Sequence, residues 1–185
     1  MFRRSTALLL LIVLASSLSV FAQQSNQSWI EYSSPEGRFS ALFPAEPEHQ
    51  DKTGTSPQMK NPYTVHIYSW TNKSVFLGVA YVDYDPEFRF SVDGELEANQ
   101  NNFLKEAEGK LVSSKKIQFE RAPGDTLPAL EFSGEASFAS FRGVVVVDGH
   151  RVYQWTAGTR KDYDGFAMME RFLSSFKLKP SGKVN

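Results

Sequence analysis

The stretch Val75-Phe76-Leu77-Gly78-Val79-Ala80-Tyr81-Val82 is apolar or aromatic throughout, at odd and even positions alike. Successive side chains of a β-strand point to opposite faces of its sheet, so a strand of this composition has no face to give to water. It belongs in the middle of a sheet covered on both sides.

The flanking segments supply that sheet. Residues 64–71 alternate Val65 and Ile67 with His66, Tyr68 and Trp70, and Asn72-Lys73 turns the chain into the apolar strand. Upstream, Trp29-Ile30-Glu31-Tyr32 and Phe39-Ser40-Ala41-Leu42-Phe43 form a hairpin about the turn Ser34-Pro35-Glu36-Gly37. Between Pro44 and Pro62, four prolines with Gly54 and several polar residues predict a long exposed loop. Downstream, the spacing of Leu96, Phe103, Leu104, Ala107 and Leu111 predicts a helix capped by Asp93 and ending near residues 109–111. Four strands follow, near residues 115–121, 127–135, 138–148 and 151–160, with Asp148-Gly149 giving the strongest hairpin signal in the chain. Asp164 then caps a last helix with the apolar stripe Phe166, Met169, Phe172, Leu173 and Phe176, and Lys177 and Lys179 suit its C-terminal end. The order contains no strand-helix-strand repeat, so the fold class is α+β with a largely antiparallel sheet of about 6–8 strands. One helix on each side of that sheet makes an α-β-α sandwich.

The ends and the composition bear on destination. Arg3 and Arg4, an apolar run over residues 7–15, and Val20-Phe21-Ala22 together read as a secretory signal cleaved after Ala22. Thr6 and Ala7 stand where the twin-arginine route prefers a bulky hydrophobic residue, which favours the general secretion route. The apolar run is well short of a membrane span of roughly 20 residues. Cysteine is absent, so there is no residue to carry a lipoprotein anchor, and stability has to come from an apolar core instead of disulfides. The expected organisation is a signal at 1–22, a flexible mature N-terminus at 23–28, one domain at 29–178 and a loose tail at 179–185. The expected location is the periplasm or the cell exterior. With 20 basic and 21 acidic residues and no basic run longer than Lys115-Lys116 outside the signal, nothing supports binding to nucleic acid or an anionic membrane.

Taken in order, Trp29-Ile30-Glu31-Tyr32-Ser33-Ser34-Pro35-Glu36-Gly37-Arg38-Phe39-Ser40-Ala41-Leu42-Phe43-Pro44, then Pro123-Gly124-Asp125, Arg151-Val152-Tyr153 and Phe172-Leu173-Ser174-Ser175-Phe176-Lys177-Leu178, resemble the PsbP-like domains. It is the order of these motifs from Trp29 to Leu178 that carries the resemblance. It implies an antiparallel sheet between helices and a non-catalytic role, as in an extrinsic photosystem II subunit and a Ran-binding import factor. Those relatives share a fold and no function, so the resemblance names no partner and transfers no functional residue.

No residue is assigned to catalysis, to a cofactor or to a metal. There is no Gly-x-Ser-x-Gly nucleophile turn, and Phe132-Ser133-Gly134 reads as the end of a strand. His49, His66 and His150 fall in a loop, a strand and an exposed hairpin tip, without ligand spacing. Asp83, Asp85 and Glu87 alternate as oxygen ligands for a hard cation would, but lack the glycine and final glutamate of a calcium loop. Glu131 and Glu135, about 13 Å apart on a strand, are too far apart for glycosidase chemistry. Of Tyr68, Trp70, Tyr81, Tyr84, Tyr153 and Trp155, most are expected in the core. The expected function is an exported non-catalytic binding or assembly module with a protein or envelope-component partner. The alternative is a carrier of a small apolar ligand, its cavity lined by Phe103, Leu104 and Phe172; an enzyme with an unfamiliar site is the third reading.

Overall fold

A computed structural model of the protein describes residues 28–55, 59 and 61–179. The expected signal at 1–22, the expected flexible N-terminus apart from Ser28 and the expected tail beyond Lys179 lie outside the described residues. The chain is α+β: β1 (Ile30–Ser34), β2 (Phe39–Phe43), β3 (Glu48–Gly54), β4 (Tyr63–Thr71), β5 (Val75–Asp83), α1 (Val92–Glu106), β6 (Lys110–Ala122), β7 (Asp125–Glu135), β8 (Ala139–Asp148), β9 (Arg151–Arg160), α2 (Phe166–Ser175) and β10 (Lys177–Leu178).

Seven strands form one antiparallel sheet in the order β3-β4-β5-β9-β8-β7-β6. β5 is interior to it, as its composition requires, and its apolar side chains go to both faces. Two clusters of buried residues divide the strands by parity. Val79 and Tyr81 of β5, Ala129 of β7, Val146 of β8, and Tyr153 and Trp155 of β9 join Met169 and Phe172 of α2. Val82, Leu130, Phe132, Val145, Val147 and Val152 join Leu96 and Leu104 of α1. This alternation is the period of two expected of a sheet that buries residues on both faces, although α1 leaves the β5 part of its own face uncovered, contrary to the expectation of cover on both sides. The β8–β9 hairpin closes through Gly149 and His150, with Gly149 at φ 65°, the conformation a primed two-residue turn reserves for glycine.

Several local expectations are corrected. The predicted loop between Pro44 and Pro62 contains the seven-residue strand β3, which is paired with β4 along its whole length. The hairpin β1–β2 does not join the main sheet but forms a second sheet in the order β1-β2-β10. β10 arises because the chain turns extended at Phe176 and pairs Lys177 with Ser40 and Leu178 with Phe39, so Lys177 closes a sheet and does not cap a helix. α1 is capped by Ser91, whose Oγ accepts a hydrogen bond from the Gly94 amide at 3.2 Å; Asp93 lies in the first turn. It ends at Glu106, where the Gly109 amide donates to Leu104 and the Glu108 amide to Lys105 in a Schellman turn. Leu111 is therefore a strand residue, 47% exposed. α2 begins after Gly165 with no side-chain cap, so Asp164 does not cap it, and Phe166 stands outside the apolar stripe at 53% exposure.

Candidate functional site

α1 packs on β6, β7 and β8. The same face of the sheet continues through β9, β5, β4 and β3, and there the helix does not cover it. The result is an open groove of about 710 Å³. Its floor is one cross-strand row, Gln50, Ile67, Ala80 and Gln154, opposite each other in the registers of β3–β4, β4–β5 and β5–β9. A second row, Lys52, Val65, Val82 and Val152, runs beside it. Glu95, Asn99, Asn102 and Glu106 form one wall, and their spacing of four, three and four residues puts them on one side of α1. Leu96, Gln100 and Leu104 of the same helix are buried. A floor that is apolar over β4 and β5 and polar at its ends, and a polar wall, thus follow from one parity of the strands and one stripe of α1.

The groove's end near Tyr84 is tied down. Tyr84 donates a hydrogen bond to Glu95 at 2.6 Å, Glu95 accepts a second from Asn99 at 2.8 Å, and Tyr63, Phe88 and Phe90 meet the Tyr84 ring edge-on. Burial first, then the bond to Glu95, pushes the Tyr84 phenol above its ordinary value. Burial also raises Tyr81, Tyr32 and Tyr153; Tyr68 adds to the first two, while Arg151 partly opposes it at Tyr153. A phenol whose folded pKa lies above its unfolded value contributes stability that is fully present below about pH 10 and is lost as the pH rises through the folded value. In an alkaline titration followed by tyrosinate absorbance, these phenols are therefore expected to resist ionisation until the protein unfolds. In denaturant they should titrate together near pH 10. Superimposable native and denatured curves would contradict this.

A second constellation occupies the opposite face of β3 and β4. His49 and Asp51 share one face of β3, and Asp51 lies opposite His66 in the register. His49 Nε2 is 2.9 Å and His66 Nδ1 2.8 Å from the same oxygen, Asp51 Oδ1. The His49 ring stacks on Tyr68 at 4.4 Å and the His66 ring on Tyr81 at 4.6 Å, while Tyr68 and Tyr81 are themselves buried. Residue spacing concealed this set, because its members become neighbours only through strand pairing. The signal available was His49-x-Asp51, meaningful once the segment is read as a strand.

The other sequence candidates are dispersed. Asp83 is paired with Arg151, and Asp85 accepts from the Glu87 amide at 2.8 Å in a local turn. Among the described residues these carboxylates form no three-ligand cluster. Glu131 pairs with Arg142 and Glu135 with Lys161. His150 is half-buried against Phe90, not exposed at the hairpin tip. Of the three expected cavity residues, Phe103 lines the groove, whereas Leu104 and Phe172 are buried in the two cores. Tyr68, Tyr81, Tyr153 and Trp155 are buried, as most of the aromatic set was expected to be. Among the described residues no helix is long and apolar enough to cross a membrane. No protein-family model matches the chain, and no curated protein matches it either.

Proposed function

We propose that this chain is an exported, non-catalytic binding module that holds an elongated amphipathic small molecule in the groove beside α1. The observation that carries the reading is the groove itself: about 710 Å³, within the range of small-molecule sites, with a floor that is apolar at its centre over β4 and β5 and convergent amide and carboxylate groups along one wall. Such a lining suits a ligand with an apolar body and hydrogen-bonding groups along one edge. The signal-like residues 1–22 support export, and the ordered motifs from Trp29 to Leu178 support a PsbP-like domain. The division of the core between a cluster containing α1 and one containing α2 supports the α-β-α sandwich.

Ala80 lies mid-floor, opposite both Ile67 and Gln154. Replacing it with tryptophan fills the groove without adding or removing charge. Titration with a neutral naphthylamine fluorophore is expected to show saturable enhancement with the native chain and at least about tenfold weaker binding to Ala80→Trp, a loss of about 1.4 kcal/mol. Equal binding by both proteins, or none by either, would reject the groove as the site.

A second reading rests on a different observation. Leu111, Val112, Phe138 and Tyr163 are exposed at the start of β6, the β7–β8 turn and the end of β9, which the strand registers bring to one end of the main sheet. Exposed aromatic and aliphatic side chains gathered this way suit a protein partner. Capture of a partner by the native chain that fails for Phe138→Ser and survives Ala80→Trp would favour docking over carriage.

A further inference from the structure

We propose that His49, Asp51 and His66 form a binding site for a borderline divalent transition ion of the zinc class. One ligand atom from each of the three residues lies within 4.8 Å of the other two, and His49 Nε2 and His66 Nδ1 meet at Asp51 Oδ1. Around a tetrahedral zinc at about 2.0–2.2 Å, ligand atoms stand roughly 3.3–3.5 Å apart. The two imidazoles now sit 2.8 and 2.9 Å from the shared carboxylate oxygen, so an ion would enter by parting these contacts by about half an ångström. Two nitrogens and one oxygen suit zinc, cobalt, nickel or copper; calcium and magnesium prefer all-oxygen shells.

The supports behind the ligands are what distinguish this set from a chance surface ion pair. A single histidine would satisfy Asp51, yet two converge on one of its oxygens from neighbouring strands. Each ring also lies face-on against a buried tyrosine, His49 within 4° of parallel to Tyr68 and His66 within 22° of parallel to Tyr81. Tyr68 is 4% exposed and Tyr81 3%, so the floor beneath the rings is fixed by the core. Outer groups that hold ligand rings in one orientation are a regular part of metal sites. The outer side is open: His49 and Asp51 are exposed on the edge strand, which leaves room for water to complete the coordination. The site faces away from the groove, since Gln50, Lys52 and Ile67 of the opposite parity line the groove floor. It therefore does not depend on the groove's ligand.

The test uses the untagged chain, stripped with a chelator and titrated with cobalt(II) alone, then with zinc(II) as competitor. The expected result is one equivalent of cobalt with the intense visible bands of a low-coordinate ion, displaced by zinc. His66→Ala should weaken binding by more than the roughly 10–100-fold that loss of an outer-shell group costs. His49→Ala, at an exposed position, should do the same, and serves if His66→Ala proves unfolded by circular dichroism. His150→Ala should bind as the native chain does. A cobalt spectrum no different from the aqueous ion, or a spectrum and stoichiometry unchanged in the His49→Ala/His66→Ala double variant, would overturn the proposal.

Discussion

Replacing Phe39 with alanine is expected to lower the unfolding free energy by about 3–5 kcal/mol, the range for truncating a buried phenylalanine. Phe39 is 0% exposed, and its ring joins three parts of the fold. It belongs to β2, pairs with Leu178 of β10, meets the edge of Tyr68 from the main sheet at 5.3 Å, and stacks on Phe176 beyond α2 at 5.8 Å. Its loss leaves a cavity bordered by side chains that are each held by other partners: Phe176 by Trp155 at 3.9 Å and Tyr68 by His49 at 4.4 Å. Collapse into the space is therefore limited, which puts the cost toward the upper end. Set against the 5–15 kcal/mol that typical domains possess, this is a large share of the total. Urea unfolding checks it, with Phe138→Ala, 65% exposed, as a control expected within about 0.5 kcal/mol of the native chain. A loss below about 1 kcal/mol for Phe39→Ala would mean that the three-stranded sheet is only loosely attached to the rest.

What could be read from the chain divides along a physical line. β5 and β9 were legible because their apolar residues occupy both parities or strict alternation, and β2 because five residues are bounded by a turn and Pro44. β3 was not, because six of its seven residues are exposed and none carries an apolar side chain. Its strand state comes from pairing with β4, and its polar, charged character is what an edge strand needs to avoid joining other sheets. β10 has two residues, too few for any pattern, and exists because β2 offers it an edge. The candidate sites fall on the same side of the line. Ile67, Ala80 and Gln154 could be assigned to strands, but that α1 would settle over β6, β7 and β8 and leave them bare is a tertiary outcome. His66 could be placed on a strand, yet its meeting with Asp51 depends on a register set by a partner strand that carries no hydrophobic signal.

Gly143→Val carries the second large effect, and it acts by crowding where Phe39→Ala acts by emptying. Gly143 sits on β8 between Phe132 of β7 and Thr156 of β9. A Cβ there would lie 2.6 Å from Phe132 Cζ and 2.6 Å from Thr156 Cγ2, well inside contact distance. Neither neighbour can yield cheaply. Phe132 is 1% exposed and meets Phe103 of α1 at 5.7 Å, so displacing its ring pushes on the helix; Thr156 is 4% exposed within the central strand β9. Glycine is thus the seat over which the Phe132 ring lies, and that ring shields β8 where glycine has no side chain of its own. The expected loss is about 1–3 kcal/mol from overpacking, with valine's second methyl placing it at the upper end despite its better strand propensity. Because Phe103 also lines the groove, the displacement should reach the ligand site. Gly143→Val is therefore expected to weaken the naphthylamine probe's binding as well as lower the urea midpoint. Phe39→Ala, on the other face of the sheet, should lower the midpoint further and leave binding to the folded fraction unchanged. If both variants weakened the probe equally at matched folded fraction, the two faces of the sheet would be mechanically coupled, and the groove could not be treated as a rigid site set by α1 and the floor strands alone.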